Sequence, residues 1–458
     1  MISYRYIITG DRTGRSMKYL IIVPDGAADR TGGVFGEKTP LEMADMPCIN
    51  GLARRGSVGQ VQTIPLGVKP GSDAANLAVI GYDPAKDLTG RSPLEAVSMG
   101  VEMADTDVSF RANLVTLAKA SGSPAHGDVP FDELIIIDHS AGDIPTLDGR
   151  EIIEYLDGKI GSGDPANAGR VRLYPGVSYR HALIVKDGPV AESGVGDVVG
   201  ESAGYEMTPP HDVLDQPIGA NLPSGDGSAY FLGLMKRSYE LLAEHPVNLA
   251  RRAAGLNTAD AIWIWGQGRR PALTPMTEKY GVSGTAVAAV DLIKGIGLCA
   301  GLDAPEVEGA TGTLETDFGA KARTAIEAFE GGKDFVFIHV EAPDECSHQG
   351  DAQGKVESLG RIDAEVASPV VEWLAGNRER TGEEYRVLVL PDHRTPLSIR
   401  THSSEPVPFV LFDSSGGLED LGGRGDDNAF TEKSSKSGLR FASGAALADI
   451  FFAGGSVN

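Results

Sequence analysis

Three short apolar runs in this chain each stop at an acidic turn, and that repeated ending restricts the fold more than any other feature. Lys18–Val23 runs into Pro24-Asp25-Gly26, Asp334–Val340 into Glu341-Ala342-Pro343-Asp344, and Tyr385–Leu390 into Pro391-Asp392-His393. Continuous apolar runs of this length suit strands buried on both faces, as in a parallel sheet; a half-solvated strand would alternate. Between them, Thr285–Leu302 and Lys355–Leu374 carry apolar residues at helical spacing. Strand alternating with helix predicts an α/β class, a doubly wound and mostly parallel sheet. In such sheets ligands bind beyond the carboxyl ends of the strands, which share one edge. A single Asp after a strand is ordinarily a turn or helix-capping residue. Three of them, with histidines attached, point to one common site.

A length of 458 residues exceeds one ordinary domain. From about residue 113 to 247 the chain is rich in Gly, Asp and Pro, with short strand-like pieces at Glu133–Ile137 and His181–Val185. This stretch reads as an inserted smaller α/β domain that covers the substrate, with residues 17–112 and 248–458 forming the metal-binding core. Residues 1–16 are polar, unlike a secretory signal, and read as a flexible extension or as the product of a start codon set too far upstream. The formal net charge of −23 excludes nucleic acid and acidic membranes as partners. No run approaches the roughly 18 apolar residues of a membrane helix. A small anionic substrate remains compatible, provided that cations or arginines offset the general field. Cys48, Cys299 and Cys346 are odd in number and widely spaced. They suit neither a disulfide framework nor a thiolate zinc site, so a reducing, cytoplasmic setting is expected.

The acidic turns have histidine companions. Asp344 and His348 stand four apart, on one face of a helical turn; Asp392 and His393 are adjacent, and His402 follows. Of nine histidines in the chain, three fall in these short motifs. Oxygen and imidazole donors without thiolates suit Mn²⁺, Zn²⁺, Mg²⁺ or Co²⁺, and Cys346 reads as a bystander. Asp25, Asp344, His348, Asp392, His393 and His402 are too many ligands for one four-coordinate ion with an open position. They suit a pair of divalent ions clamping a phosphoryl group. Ser72, in Pro70-Gly71-Ser72-Asp73-Ala74-Ala75-Asn76, precedes good helix formers. It would sit at a helix N-terminus, where free N–H groups favour phosphate oxygens. A cation beside its hydroxyl would make it a nucleophile; the plainer reading is a helix cap.

The joint set resembles the archaeal-type cofactor-independent phosphoglycerate mutases of the alkaline-phosphatase superfamily. It comprises Val23-Pro24-Asp25-Gly26-Ala27, the segment from Pro70 to Pro84 around Ser72, Gly90-Arg91-Ser92-Pro93, Ile137-Asp138-His139-Ser140, Asp291-Leu292-Ile293-Lys294, His339 to His348, Pro391 to Pro396 and Arg400 to Phe409. The likeness runs from about Met17 to the C-terminus and preserves motif order. It implies one metal on Asp344, His348 and His402 and another on Asp25, Ser72, Asp392 and His393, Mn²⁺ being the first expectation. It also implies that Ser72 takes the phosphoryl group of 3-phosphoglycerate and returns it to yield 2-phosphoglycerate, without bisphosphoglycerate.

Substrate-binding candidates are Arg269 and Arg270 after the strand Ala261–Trp265, Lys279, Asp138 and His139 at a strand end, and Arg180. Each also reads as a surface cation or a salt-bridged residue. His339, inside a strand, reads as a packed core histidine. Glu341 stands where many archaeal members are expected to carry lysine, a departure that bears on the substrate. Bacterial relatives resembling this chain have been proposed as homoserine kinases, which keeps that activity open, although no Gly-x-x-x-x-Gly-Lys-Ser/Thr loop occurs. A metal-dependent phosphatase is a further alternative. A sulfatase would need a maturation motif around Ser72 that is absent, and a metal-binding scaffold would need no serine beside metals.

Overall fold

The computed structural model describes residues 17–119, 129–167, 169–188, 205–418 and 421–453. The extension expected over residues 1–16 lies outside them. The chain divides into two compact units, one formed by the chain up to Leu88 and from Ala272 onward, the other by Thr89–Pro271.

The first unit holds a seven-stranded sheet in the spatial order Gly284–Val287, Phe335–Val340, Met17–Pro24, Glu384–Val389, Val407–Asp413, Ser57–Val61, Leu439–Phe441. The three apolar runs are its adjacent central strands. Met17–Pro24 pairs in parallel with Phe335–Val340 on one side and with Glu384–Val389 on the other. Leu20, Ile21, Ile22 and Val23 are all fully buried; consecutive burial means that both faces are covered, which is why the run does not alternate. Val407–Asp413 runs antiparallel to both neighbours, so the sheet is mostly rather than wholly parallel.

Two helical expectations shift. Thr285–Leu302 opens as the edge strand Gly284–Val287, paired with Phe335–Ile338, and only Asp291–Cys299 is α-helical. Strand pairing at the sheet edge overrides the helical spacing there. The Lys355–Leu374 stretch is helical at Ala352–Arg361, widens to a π-type turn over Ile362–Ala367, and resumes as Ser368–Thr381. Pro369 has no N–H to give the preceding turn, and the wider turn accommodates it.

A buried polar network braces the turns at the strand ends. Asp29, four residues past Asp25, pairs with the fully buried Lys355 at 3.0 Å, and Lys355 also donates to the Thr395 carbonyl at 3.0 Å. The same Asp29 oxygen accepts from the Leu397 N–H, while the Asp29 N–H and the Thr39 hydroxyl both donate to Glu432. Burial lowers the Lys355 pKa and Asp29 works against that shift. A buried pair of this kind holds only when its remaining hydrogen bonds are made. Here they tie the turn after the first strand to residues 395–397.

The second unit is organised on the long strand Val108–Ala118. It pairs antiparallel with Ile135–Asp138, Arg180–Val185 and Ala261–Arg269, and Val171–Tyr174 adds to Arg180–Val185. This corrects the expected limits of the insert, residues 113–247. Val108–Ala118 and Ala261–Arg269 are apolar and compositionally core-like, yet they pair with each other. Residues 89–112 and 248–271 therefore belong to this unit. No helix among the described residues is long and apolar enough to cross a membrane.

Candidate functional site

The first strand delivers Asp25 through a turn that only glycine permits. Gly26 has φ +60°, and a Cβ there would lie 2.4 Å from Asp344 Oδ1 and 2.6 Å from Thr395 Oγ1. Left-handed backbone and close approach both demand the missing side chain. The Asp25 N–H donates to the Val340 carbonyl at 3.0 Å, and the Gly26 N–H to Asp392 Oδ1 at 3.2 Å. Thus the ends of the three central strands are hydrogen-bonded to one another.

Ser72 opens the helix Ser72–Val79, and Gly71 is its N-cap. The serine side chain is therefore not spent on capping; its Oγ lies 3.1 Å from His393 Nε2. One turn along, the buried Asn76 donates to the Ser72 carbonyl and to Asp392 Oδ2, each at 2.8 Å. His393 Nε2 stands 3.5 Å from Asp25 Oδ1 and 3.4 Å from Asp392 Oδ2. The second group follows from the helix Ala342–Gln349, which begins just past the strand Phe335–Val340. Asp344 lies in its first turn, where the helix dipole favours a carboxylate. His348 is one turn on, its Nε2 3.1 Å from Asp344 Oδ2 and 3.0 Å from Nε2 of His402.

Hydrogen-bond accounting fixes which nitrogens are available. The Thr395 hydroxyl donates to Asp344 Oδ1, so it must accept from His393 Nδ1, 3.2 Å away. That leaves the lone pair of His393 on Nε2, facing Ser72 and Asp25. His348 Nδ1 lies 2.9 Å from the Arg400 carbonyl, which can only accept. Its Nε2 therefore also turns its lone pair inward unless a proton occupies it.

The electrostatics call for positive charge. Burial first, then the charges of Asp392, Asp344 and Glu341, push the Asp25 carboxyl well above the usual range. Burial also works against ionised Asp344, but hydrogen bonds from His348 and His402 outweigh it and hold its pKa well below the usual range. His348 is correspondingly raised to about 9, chiefly by its hydrogen bond to Asp344. Burial lowers the pKa of His393. Both Asp25 oxygens are buried and make no hydrogen bond among the described residues. Asp344, His348 and His402 form one set of potential ligand atoms within 4.8 Å of one another, and Asp25, Asp344 and His393 form another. Orphaned carboxylate oxygens, inward lone pairs and converging negative charge all fit divalent cations.

Residues missed in the sequence are Asn76 and Thr395, which contact the candidate ligands Asp392, His393 and Asp344, and His339. The last is buried in the core sheet as expected, yet its Nε2 stands 3.1 Å from Asp25 Oδ2. Asn76 follows Ser72 at helical spacing and Thr395 follows His393 by two, which is the signal that was there to read.

The substrate-binding candidates are not brought to this cluster within its own unit. Lys279 lies over the rings of Tyr82 and Tyr280, at 5.4 and 5.2 Å. Tyr82 follows the far end of the helix that Ser72 begins, about 12 Å along its axis, so the lysine is held by aromatic contacts there. The others belong to the second unit. Asp138 accepts hydrogen bonds from the Ser140 N–H and hydroxyl, the Gly142 N–H and Asn257. Burial opposes ionisation, but these bonds lower its pKa overall and tie the carboxylate into the turn Asp138–Gly142. His139 packs edge-on against Tyr179 and lies 6.4 Å from the His211 ring. Arg180 lies over Tyr179 at 5.5 Å. Arg269 ends its strand and donates to the Thr106 carbonyl at 2.9 Å, and Arg270 is exposed.

Comparison with known proteins adds an independent line. The family described as 2,3-bisphosphoglycerate-independent phosphoglycerate mutase matches residues 53–248. The chain is 42% identical over 396 residues to a probable 2,3-bisphosphoglycerate-independent phosphoglycerate mutase of Geobacter sulfurreducens, covering 86% of this chain and 90% of that one. It is 41% identical over 422 residues to the enzyme of that name from Methanosarcina barkeri, covering 92% and 96%. Among solved structures, the PH0037 protein of Pyrococcus horikoshii superposes with a TM-score of 0.73 at 25% identity, over 97% of this chain and 99% of that one. A cofactor-independent phosphoglycerate mutase from Thermoplasma acidophilum shares the fold, with a TM-score of 0.61 at 23% identity over 95% and 98%.

Proposed function

This chain belongs to the 2,3-bisphosphoglycerate-independent phosphoglycerate mutases, and from that premise we propose that it interconverts 3-phosphoglycerate and 2-phosphoglycerate through a phosphorylated Ser72. The observation that carries the reading is the position of Ser72 Oγ, 3.1 Å from His393 Nε2 and beside the carboxylates that converge on Asp25. Asp344, His348 and His402 would hold one divalent ion; Asp25, Ser72, Asp392 and His393 would hold the other. Such ions, when bound, lower the pKa of the serine hydroxyl and offset charge on the transferring oxygens, with Mn²⁺ the first choice and Zn²⁺, Co²⁺ or Mg²⁺ compatible with the donors.

The chain's own residues do the rest. Ser72 Oγ attacks phosphorus, the new O–P bond forming as the bond to the C3 oxygen of the substrate breaks; that oxygen leaves and takes up a proton. After glycerate turns, its C2 hydroxyl loses a proton and attacks the phosphoserine, which restores Ser72. Gly71, as N-cap, leaves the Ser72 and Asp73 N–H groups open to phosphate oxygens, while the Ala74 N–H donates to Asp73 Oδ1 at 2.9 Å. Asn76 fixes the serine backbone relative to Asp392, and Thr395 holds His393 in the tautomer with its lone pair on Nε2.

The test is conversion of 3-phosphoglycerate by the purified chain across a metal series, with no bisphosphoglycerate added. Turnover that a chelator abolishes while circular dichroism stays unchanged is the expected result. Phosphorylation of homoserine from ATP, or net release of phosphate as the main outcome, would replace this reading with a kinase or a phosphatase.

A further inference from the structure

Among the described residues of the first unit, Arg400 is the only non-glycine whose backbone lies in the left-handed region, at φ +52°. Arginine is poorly suited to that conformation: unlike Asn or Asp, it has no short polar group to bond its own backbone, and its Cβ crowds the main chain. Strain of this kind persists only where surrounding contacts over-determine it, and it gathers at functional sites. Two sets of contacts do so here. The Ile399 and Arg400 N–H groups both donate to the Pro396 carbonyl, at 3.0 and 2.9 Å, closing a turn that Arg400 ends. The Arg400 side chain reaches Gly350, which caps the helix Ala342–Gln349 in the left-handed conformation at φ +76°. A Cβ on Gly350 would stand 2.6 Å from Cζ, Nε and Nη2 of Arg400 alike. Equal distances to three atoms of one plane mean that the guanidinium lies flat over the glycine.

The reversal at Arg400 serves two histidines. Its carbonyl lies 2.9 Å from His348 Nδ1, and two residues on, His402 brings its Nε2 within 3.0 Å of His348 Nε2. An ordinary negative φ would rotate that carbonyl, and the chain after it, away from the helix. We propose that Arg400 is a positioning residue for the cation site of Asp344, His348 and His402. The helix supplies Asp344 and His348, and the turn supplies His402. The guanidinium clamps the turn to the helix end, and the left-handed backbone aims the carbonyl at one face of the His348 ring system and His402 at the other. Arg400 thus acts on the ion through His348 and His402. The proposal rests on the two-ion reading and adds the residue that joins the two segments of one site. Glycine at position 400 would relieve the strain and remove the clamp together, whereas alanine would remove the clamp and keep the strain.

The test compares ion affinity with stability, without turnover. Chelator-stripped full-length protein is titrated with Mn²⁺, unbound ion is followed by electron paramagnetic resonance, and the stripped protein is melted separately. Arg400→Gly and Arg400→Ala should both bind one of two ions about tenfold or more weakly than wild type, although the glycine variant should melt at the higher temperature of the two. In a His348→Gln background, which loses that ion outright, Arg400→Gly should leave the affinity for the remaining ion unchanged. Wild-type affinity for both ions in Arg400→Gly would overturn the proposal and leave the two-ion reading standing. So would affinity that follows the melting temperature, the glycine variant recovering what the alanine variant loses, because that is the mark of a structural residue. Binding of no ion by wild type would overturn both readings. Should Arg400→Ala fail to fold, Arg400→Gly decides alone: weakened binding at a wild-type melting temperature supports the clamp, and unweakened binding overturns it.

Discussion

Ser72 Oγ and His393 Nε2 are 3.1 Å apart although 321 residues separate them in the chain. The far side of the same ring contacts Thr395, and Thr395 donates to Asp344. One line of contacts therefore runs from the serine hydroxyl to the His348 and His402 group.

Replacement of Ser72 by Ala should remove the nucleophile and one proposed ligand of the second ion but leave the helix start intact, because Gly71 rather than Ser72 caps it. We expect turnover to fall by about two to three orders of magnitude or more, with an unchanged melting temperature. Acid quenching of wild type with labelled substrate should trap phosphate on Ser72. Substantial turnover in the variant would remove the phosphoserine step.

Asn76 holds Asp392 in place without touching the proposed ions. Asn76→Ala leaves Asp392 Oδ2 without its donor, and loss of such a supporting bond weakens metal affinity or activity by about 10–100-fold. Asn76→Asp should be worse, since it sets a like charge 2.8 Å from Asp392 where the donor was. Metal titration of both variants checks the order; an Asp variant equal to wild type would contradict it.

Gly26→Ala places a Cβ 2.4 Å from Asp344 Oδ1 at a residue with φ +60°. The turn must open, which displaces Asp25 and Asp344 together. A displacement near 1 Å in such a centre costs about 100-fold in rate, and steady-state kinetics beside a thermal melt will separate this from global unfolding. Activity near that of wild type would show that the turn tolerates the methyl.

The second unit should be acid-sensitive through His181. Its Nδ1 accepts from the Gly176 N–H at 3.0 Å, and burial holds its pKa down to about 3. The unfolded chain binds this proton near pH 6.5 and the folded one does not, so stability is full above that value and declines as pH falls toward 3. From pH 6.5 to 5 the loss is about 2 kcal/mol. Hydrogen-exchange protection of Arg180–Val185 in the full chain should fall accordingly, and His181→Asn should flatten the dependence. An equal slope in the variant would assign the effect elsewhere.

How much of this was legible in the sequence follows from what patterns encode. Asp25, Asp344 and Asp392 could be read because a parallel sheet brings its strand ends to one edge, and His348 because helical spacing fixes its face. Asn76 and Thr395 could not, since a bridging role depends on which donor meets which acceptor across hundreds of residues. His339 was read by its burial alone, which its position in the strand explains but its distance to Asp25 does not. Lys279 and Asp138 stand out by residue type, but type does not encode the aromatic contacts of the one or the turn hydrogen bonds of the other. The borders of the second unit were misjudged because its longest strands have the apolar composition of a core.

The central place of Met17–Pro24 in its sheet has a cost during biosynthesis. This strand leaves the ribosome more than 300 residues ahead of the two that flank it, as the pairs Gly26–Asp392 and Lys18–Lys333 illustrate. Until then both its edges stay open, and unpaired apolar edges invite association with other chains. Such distant pairing also slows folding. Nascent chains halted before residue 384 therefore lack one wall of the sheet, and they should be held by chaperones or aggregate rather than accumulate as a soluble fragment.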